Sequence, residues 1–208
     1  MSKELLDRFF KENKAASDNA TAPAFAHYYL SLENDPEANK KMQDTLSEAV
    51  FSRENERKEK ALAEKNEIDS AENYEQVIRF MRRQTDPVNR HEIVNKAMEF
   101  ENEIVPEIVR LLKTSLNDGF IEKAIRILAR SKMEFADELI GYYDDMRYPY
   151  AQSMALVLLG FKADESRVSW LIEKYEKLKR LYPKENYCDG AYYALLEIQN
   201  RFYPSGKK

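Results

Sequence analysis

Apolar residues recur every three or four positions along most of the chain, the spacing that gathers them on one face of a helix. From Lys3 to about Ala15, Leu5, Leu6, Phe9 and Phe10 form one such stripe. Ser17 to Ala22 is a polar, small-residue break. A second helix is predicted from Pro23 to Leu32, carrying Phe25, Tyr28, Tyr29 and Leu32; proline suits its first turn, where the missing N–H has no intrahelical acceptor. Asn34-Asp35-Pro36-Glu37 predicts a fresh start, with Asp35 as the cap and Pro36 in the first helical position. The third helix is apolar on one face at Met42, Leu46, Ala49 and Val50, then enters Arg53-Glu54-Asn55-Glu56-Arg57-Lys58-Glu59-Lys60. Opposite charges alternate there, as on a solvated helix supported by pairs one turn apart, or in a linker. Asp69-Ser70-Ala71-Glu72 has the form of a capping box and is expected to open the next helix. The expected organisation is therefore an N-terminal helical segment over 1–69 and a second domain over 70–208.

Beyond Tyr74 the pattern repeats itself. Windows beginning at His91, Ile121, Gln152 and Cys188 align, and their inner positions Val94, Ala124, Ala155 and Ala191 lie 30, 31 and 36 residues apart. Four residues after each stands Met98, Leu128, Leu159 or Leu195. A small residue one turn before a large one lets neighbouring helices approach at one point and interlock at the next. The intervening segments also match one another: Val105 to Leu112, Ala136 to Tyr143 and Val168 to Tyr175.

Helix pairs of this form resemble HEAT repeats, whose second helix reads as a small apolar residue, three variable ones, then Leu-Gly. Ala155-Leu156-Val157-Leu158-Leu159-Gly160 is the best copy and Ala124 to Ala129 the next. The resemblance covers residues 86–203 and departs from the family where an Arg is common near the second-helix start: His91, Ile121, Gln152 and Cys188 stand there. It implies an all-α fold, a right-handed α-α superhelix of about three and a half pairs, with the N-terminal segment as a cap on the first repeat.

Composition agrees with helices. Only five glycines and seven prolines punctuate 208 residues, and 34% of the chain is charged. A net charge of −4 gives no general basic excess for phosphate binding. One cysteine, Cys188, excludes an internal disulfide framework and a Cys-rich zinc site. Acids at Glu4 and Asp7 come too early for a signal peptide, and no apolar run reaches the ~20 residues needed to span a bilayer. The expectation is a cytoplasmic protein with no membrane partner.

Candidate chemistry reduces to surfaces. His91-Glu92-Ile93-Val94-Asn95 begins like a zinc-protease helix, but Asn95 occupies the second histidine's place. The acids Glu134, Asp137, Glu138, Asp144 and Asp145 lack the Glu-x-x-His spacing of di-iron bundles. Lys174, Lys177, Lys179, Arg180 and Lys184 are interleaved with Glu173, Glu176 and Glu185, which suits a mixed solvated face better than a phosphate track. No catalytic residue, metal ligand or cofactor is assigned. Aromatic enrichment, with Tyr148 and Tyr150 around Pro149 and Tyr192-Tyr193 in the last window, suits an interface.

The resemblance places the second helices on a concave side. The expected function is a non-catalytic interaction or scaffold module that binds an as yet unidentified protein or peptide through Glu122, Arg126, Tyr148, Tyr150, Gln152, Tyr193 and Glu197. The alternative is a nucleic-acid-binding or DNA-repair protein of the HEAT-like glycosylase type, drawing on Arg126, Arg130, Tyr150 and Trp170. A strongly positive inner face favours DNA and a mixed one favours protein.

Overall fold

A computed structural model describes residues 2–14, 21–52 and 56–204. Among these the chain is all-helical, without strands. The helices are α1 (Ser2–Glu12), α2 (Ala22–Glu33), α3 (Pro36–Phe51), α4 (Glu56–Asp69), α5 (Tyr74–Arg82) and α6 (Arg90–Met98). They continue with α7 (Glu101–Leu112), α8 (Asp118–Arg130), α9 (Ala136–Tyr142), α10 (Pro149–Lys162), α11 (Val168–Leu181) and α12 (Asp189–Phe202). Short 3-10 turns at Pro87–Asn89, Tyr143–Asp145 and Glu165–Arg167 lead into or out of the longer helices.

Local chemistry explains most boundaries. Asp35 caps α3 as expected: its carboxylate accepts from the Ala38 N–H at 3.1 Å, and Pro36 opens the helix. The cap of α5 lies four residues beyond its expected place. Asn73 accepts from the Gln76 N–H at 3.0 Å, while the Gln76 side chain accepts from the Glu72 N–H at 2.9 Å. Ser70 instead closes α4, donating its hydroxyl proton to the Glu67 carbonyl. Asn73 wins because the apolar face of α5 (Val77, Ile78, Met81) begins one turn after it. The alternating charge run is helical from Glu56 onward; Arg53–Asn55, Ala15 and the break at Ser17–Ala20 lie outside the described residues.

The chain forms two compact units. A terminal unit contains Met1–Leu30 and Glu134–Lys208; a central unit contains Ser31–Met133. The division falls inside α2, and both flanks of Asp69 belong to the central unit.

In the central unit α5 packs on α6, α7 and α8, and α6 lies beside α8. Lys123, buried on α8, donates from Nζ to the carbonyls of Met81 (3.2 Å), Arg83 (3.1 Å) and Gly119 (3.3 Å). It thereby satisfies carbonyls at the open end of α5, where a cation also meets the negative end of the helix dipole. A smaller cluster of Val50, Ala61 and Val88, covered by Leu46 and Phe51, joins α3 and α4 to the turn before α6.

In the terminal unit α10 packs between α9 and α12, and α11 lies along α12. The repeated register is buried in both units: Val94, Ala124, Ala155 and Ala191 are each 0% exposed. At the α10–α12 seam the backbones nearly touch. A Cβ at Gly160 would stand 2.6 Å from the Ala194 Cα, and one at Gly190 would stand 2.2 Å from the Ser153 carbonyl oxygen. Arg201 finishes the seam by donating to the Gly160 and Ala163 carbonyls at the end of α10.

α1 packs on α11 and α12, the last pair, through buried Leu6 and Phe9. No helix among the described residues is long and apolar enough to cross a membrane.

Two glycine substitutions separate packing from propensity. Gly160→Ala forces the α10–α12 seam apart and is expected to lower the unfolding free energy by about 1–3 kcal/mol. Gly141→Ala on α9, where a Cβ meets nothing within 4 Å, is expected to raise it by up to about 1 kcal/mol. Denaturant midpoints of the two variants check both signs.

Candidate functional site

The second helix has two faces with opposite characters. Pro23, Ala26, Leu30 and Glu33, spaced three, four and three residues apart, turn inward and are buried. Phe25, Tyr28 and Tyr29 turn outward and are 54%, 56% and 40% exposed. No charged residue occurs from Ala22 to Leu32. A helix apolar on all sides is ordinarily buried on all sides; this one holds three large aromatic side chains in water, with the Tyr28 and Tyr29 rings edge to face at 5.7 Å. With 150–250 Å² on each ring, roughly 300 Å² of aromatic surface remains accessible, the size of a functional patch on a typical monomer.

The rotation of α2 is set by its polar residues. In the terminal unit His27 lies over Tyr193 at 5.3 Å and beside Phe161 at 5.4 Å. Its Nε2 is 3.0 Å from a Glu197 carboxylate oxygen. A carboxylate only accepts here, so Nε2 carries the proton.

In the central unit Glu33 is the centre of a charge cluster. Its side chain is 1% exposed. Arg126 Nε donates to Oε1 at 2.7 Å, Arg130 Nε donates to Oε2 at 3.1 Å, and Asn39 Nδ2 donates to Oε2 at 3.1 Å. Burial by itself would raise the Glu33 pKa, but the two guanidinium groups outweigh it and hold the carboxyl below its ordinary range. Arg130 also donates to Asn95 Oδ1 at 2.6 Å and approaches His91 Nδ1 at 3.4 Å. Arginine can only donate, so His91 Nδ1 offers its lone pair and the ring is neutral. Burial, reinforced by the Arg130 charge, pushes the His91 pKa down to about 4.

The residues expected to form one binding face are distributed differently. Glu122 and Arg126 lie on α8 in the central unit, whereas Tyr148, Tyr150, Gln152, Tyr193 and Glu197 lie in the terminal unit. Glu122 faces Arg90 at 3.6 Å, and Arg126 turns inward to Glu33. Gln152 donates to the Met146 carbonyl at 2.8 Å. Tyr148 and Tyr150 are half-buried against each other, with ring centres 5.8 Å apart. Tyr193 and Glu197 are brought together around His27. The charges on and beside α8 are mixed: Arg126 and Arg130 of α8 meet Glu33, and Arg90 of α6 meets Glu122.

Other candidates settle into local roles. Asp144 accepts from both Lys174 and Lys177, at 3.0 Å and 2.9 Å, and its carboxyl is held below the ordinary range by those ammonium groups. Trp170 lies edge-on to buried Tyr143 at 5.1 Å, with the Lys174 ammonium over both rings. Glu134, Asp137 and Glu138 line a 310 Å³ recess with Lys162 and Arg167, and Arg167 pairs with Asp137 at 2.6 Å. Burial pushes the Cys188 thiol pKa up, away from nucleophilic readiness. No group of three or more metal-ligating side chains occurs among the described residues.

Sequence reasoning placed Phe25, Tyr28 and Tyr29 on a helix but not on a surface. The available signal was the absence of any charge from Ala22 to Leu32, where apolar residues stand on both sides of the helix. Comparison with protein-family models, with curated proteins and with solved structures finds no match to this chain.

The charge cluster yields a stability signature. His91 binds its proton at about pH 4 in the folded protein and near 6.5 when unfolded, so acidification favours unfolding throughout that window. Glu33, whose folded pKa is lowered, adds its own loss at the acid end, below the ordinary carboxyl value. The denaturant midpoint is therefore expected to fall from pH 7 to pH 5, and His91→Gln is expected to flatten that slope. Glu33→Gln, which strips the counter-charge from two arginines, is expected to cost about 3 kcal/mol at pH 7. Equal slopes for His91→Gln and the parent protein contradict a buried neutral imidazole.

Proposed function

We propose that this chain is a non-catalytic protein-binding module that presents the aromatic face of α2 to a partner protein. The observation that carries the reading is the outward trio Phe25, Tyr28 and Tyr29 on a helix with no charge from Ala22 to Leu32. Phe25, Tyr28 and Tyr29 stand at i, i+3 and i+4, the spacing of anchors an amphipathic helix lays into an apolar groove. Aromatic side chains supply large contact area at little cost in rotamer entropy, and tyrosine keeps a hydroxyl at the rim. The partner is thus a protein offering an apolar groove.

We further propose that the helix pairs are those of a HEAT-like array, the scaffold that holds α2. Supporting this, second helices lie side by side within each unit, α6 with α8 and α10 with α12, on the small residues of the repeated register. Nucleic-acid binding is the weaker reading, because Arg126 and Arg130 are already engaged by a buried carboxylate.

The test uses the full chain as bait in lysate of its native cells, beside a variant carrying Phe25→Ser, Tyr28→Ser and Tyr29→Ser. A protein is expected to co-purify in stoichiometric amount with the parent chain and to drop at least ~tenfold with the variant, as for interface anchors. Equal recovery by a variant with parental helicity, or recovery of material that nuclease removes, contradicts the reading.

A further inference from the structure

α1 is held in a way that defines a second binding site, independent of the α2 face. It is 11 residues long, shorter than the ~12–15 residues at which an isolated helix becomes even marginal in water. Its helicity therefore depends on what it rests against. Only Leu6 and Phe9 are buried on it, one turn apart, with Phe10 beside them half-buried. Phe9 meets Tyr175 of α11 edge to face at 4.9 Å, and Phe10 meets Tyr192 of α12 edge to face at 5.3 Å. Polar ties hold the two ends: Ser2 Oγ donates to the Glu165 carbonyl and Lys179 Nζ donates to Asn13 Oδ1, both at 3.2 Å.

We infer that the α11–α12 face is a binding site for an amphipathic helix with Leu-x-x-Phe-Phe anchors, which α1 occupies in cis and a partner helix of the same kind occupies in trans. The chemistry of the ligand is that of its resident. A leucine and a phenylalanine at i and i+3 fill the groove, and a second aromatic at i+4 seats against Tyr192. The groove walls are aromatic edges, which accept a ring in the T-shaped arrangement favoured by its quadrupole. Lys179 at one end and the Glu165 carbonyl at the other fix where the incoming helix begins and ends.

Contrast with the α10–α12 seam explains why α1 is the exchangeable element. That seam joins long helices through backbone contact at Gly160 and Gly190. α1 contributes two buried side chains and two end contacts, so it belongs to the part of the fold that opens first. Attachment in cis raises its local concentration, and a partner helix must outcompete that.

The test titrates a fluorescently labelled peptide of residues 2–14 against two full-length proteins, one unaltered and one carrying Leu6→Ala and Phe9→Ala. The altered chain keeps Tyr175, Tyr192, Lys179 and Glu165 but loses its own anchors. Saturable binding to the altered chain is expected, at least ~tenfold weaker binding to the unaltered one, and none by a peptide with the same two alanines. Absence of binding to an altered chain with parental helicity, or equal affinity for both chains, overturns the inference. Hydrogen exchange on the unaltered protein decides the matter whether or not the altered chain folds. The amides of α1 are expected to exchange at least ~tenfold faster than those of α12, through an opening that leaves α10 and α12 protected. Exchange of α1 only together with α12 overturns it equally.

Discussion

A carboxylate shut away from water stays ionised only if opposite charge and hydrogen-bond donors replace its hydration. Glu33 meets that condition with Arg126, Arg130 and Asn39. The consequence reaches along α2, because a helix has one rotational degree of freedom. Once Glu33 points inward, Leu30, Ala26 and Pro23 point inward with it, and Phe25, Tyr28 and Tyr29 are left on the other side. The charge cluster thus does more than tie α2 to α8. It helps decide which of two apolar faces is exposed, a choice hydrophobicity alone could not make in the uncharged stretch from Ala22 to Leu32.

Elsewhere the packing depends on small residues at fixed intervals. Val94, Ala124, Ala155 and Ala191 are fully buried, and the glycines at 160 and 190 bring α10 and α12 into backbone contact. Polar side chains finish helix ends that tight packing leaves open, as Lys123 does for α5 and Arg201 for α10. α1 stands outside this pattern, held by side-chain anchors and no small-residue seam.

Much of the all-helical fold was legible because its signals are local. The Asp35-Pro36 start, the periodicity of α5 to α12 and the buried register follow from residues within one or two turns of each other. The cap of α5 falls on Asn73 and not on Asp69, because the apolar face of α5 begins one turn after Asn73 while Ser70 closes α4. What could not be read are pairings across long stretches of chain. Arg126 was expected to face solvent, but its partner Glu33 lies 93 residues away. Similarly, Ser2 meets Glu165 across 163 residues, a contact of which local periodicity carries no sign. The candidate surface was half visible: the sequence named the aromatic residues of α2, and only the inward turn of Glu33 shows which way they face.

The central claim is that the α2 aromatic face is where a partner protein sits. Oxidative footprinting of the full chain, alone and in lysate of its native cells, tests it residue by residue. Modification of Phe25, Tyr28 and Tyr29 is predicted to fall several-fold in lysate, while Leu116 on the central unit, 72% exposed, stays as reactive as before. Unchanged reactivity of all three rings, with protection appearing elsewhere on the chain, would contradict the account.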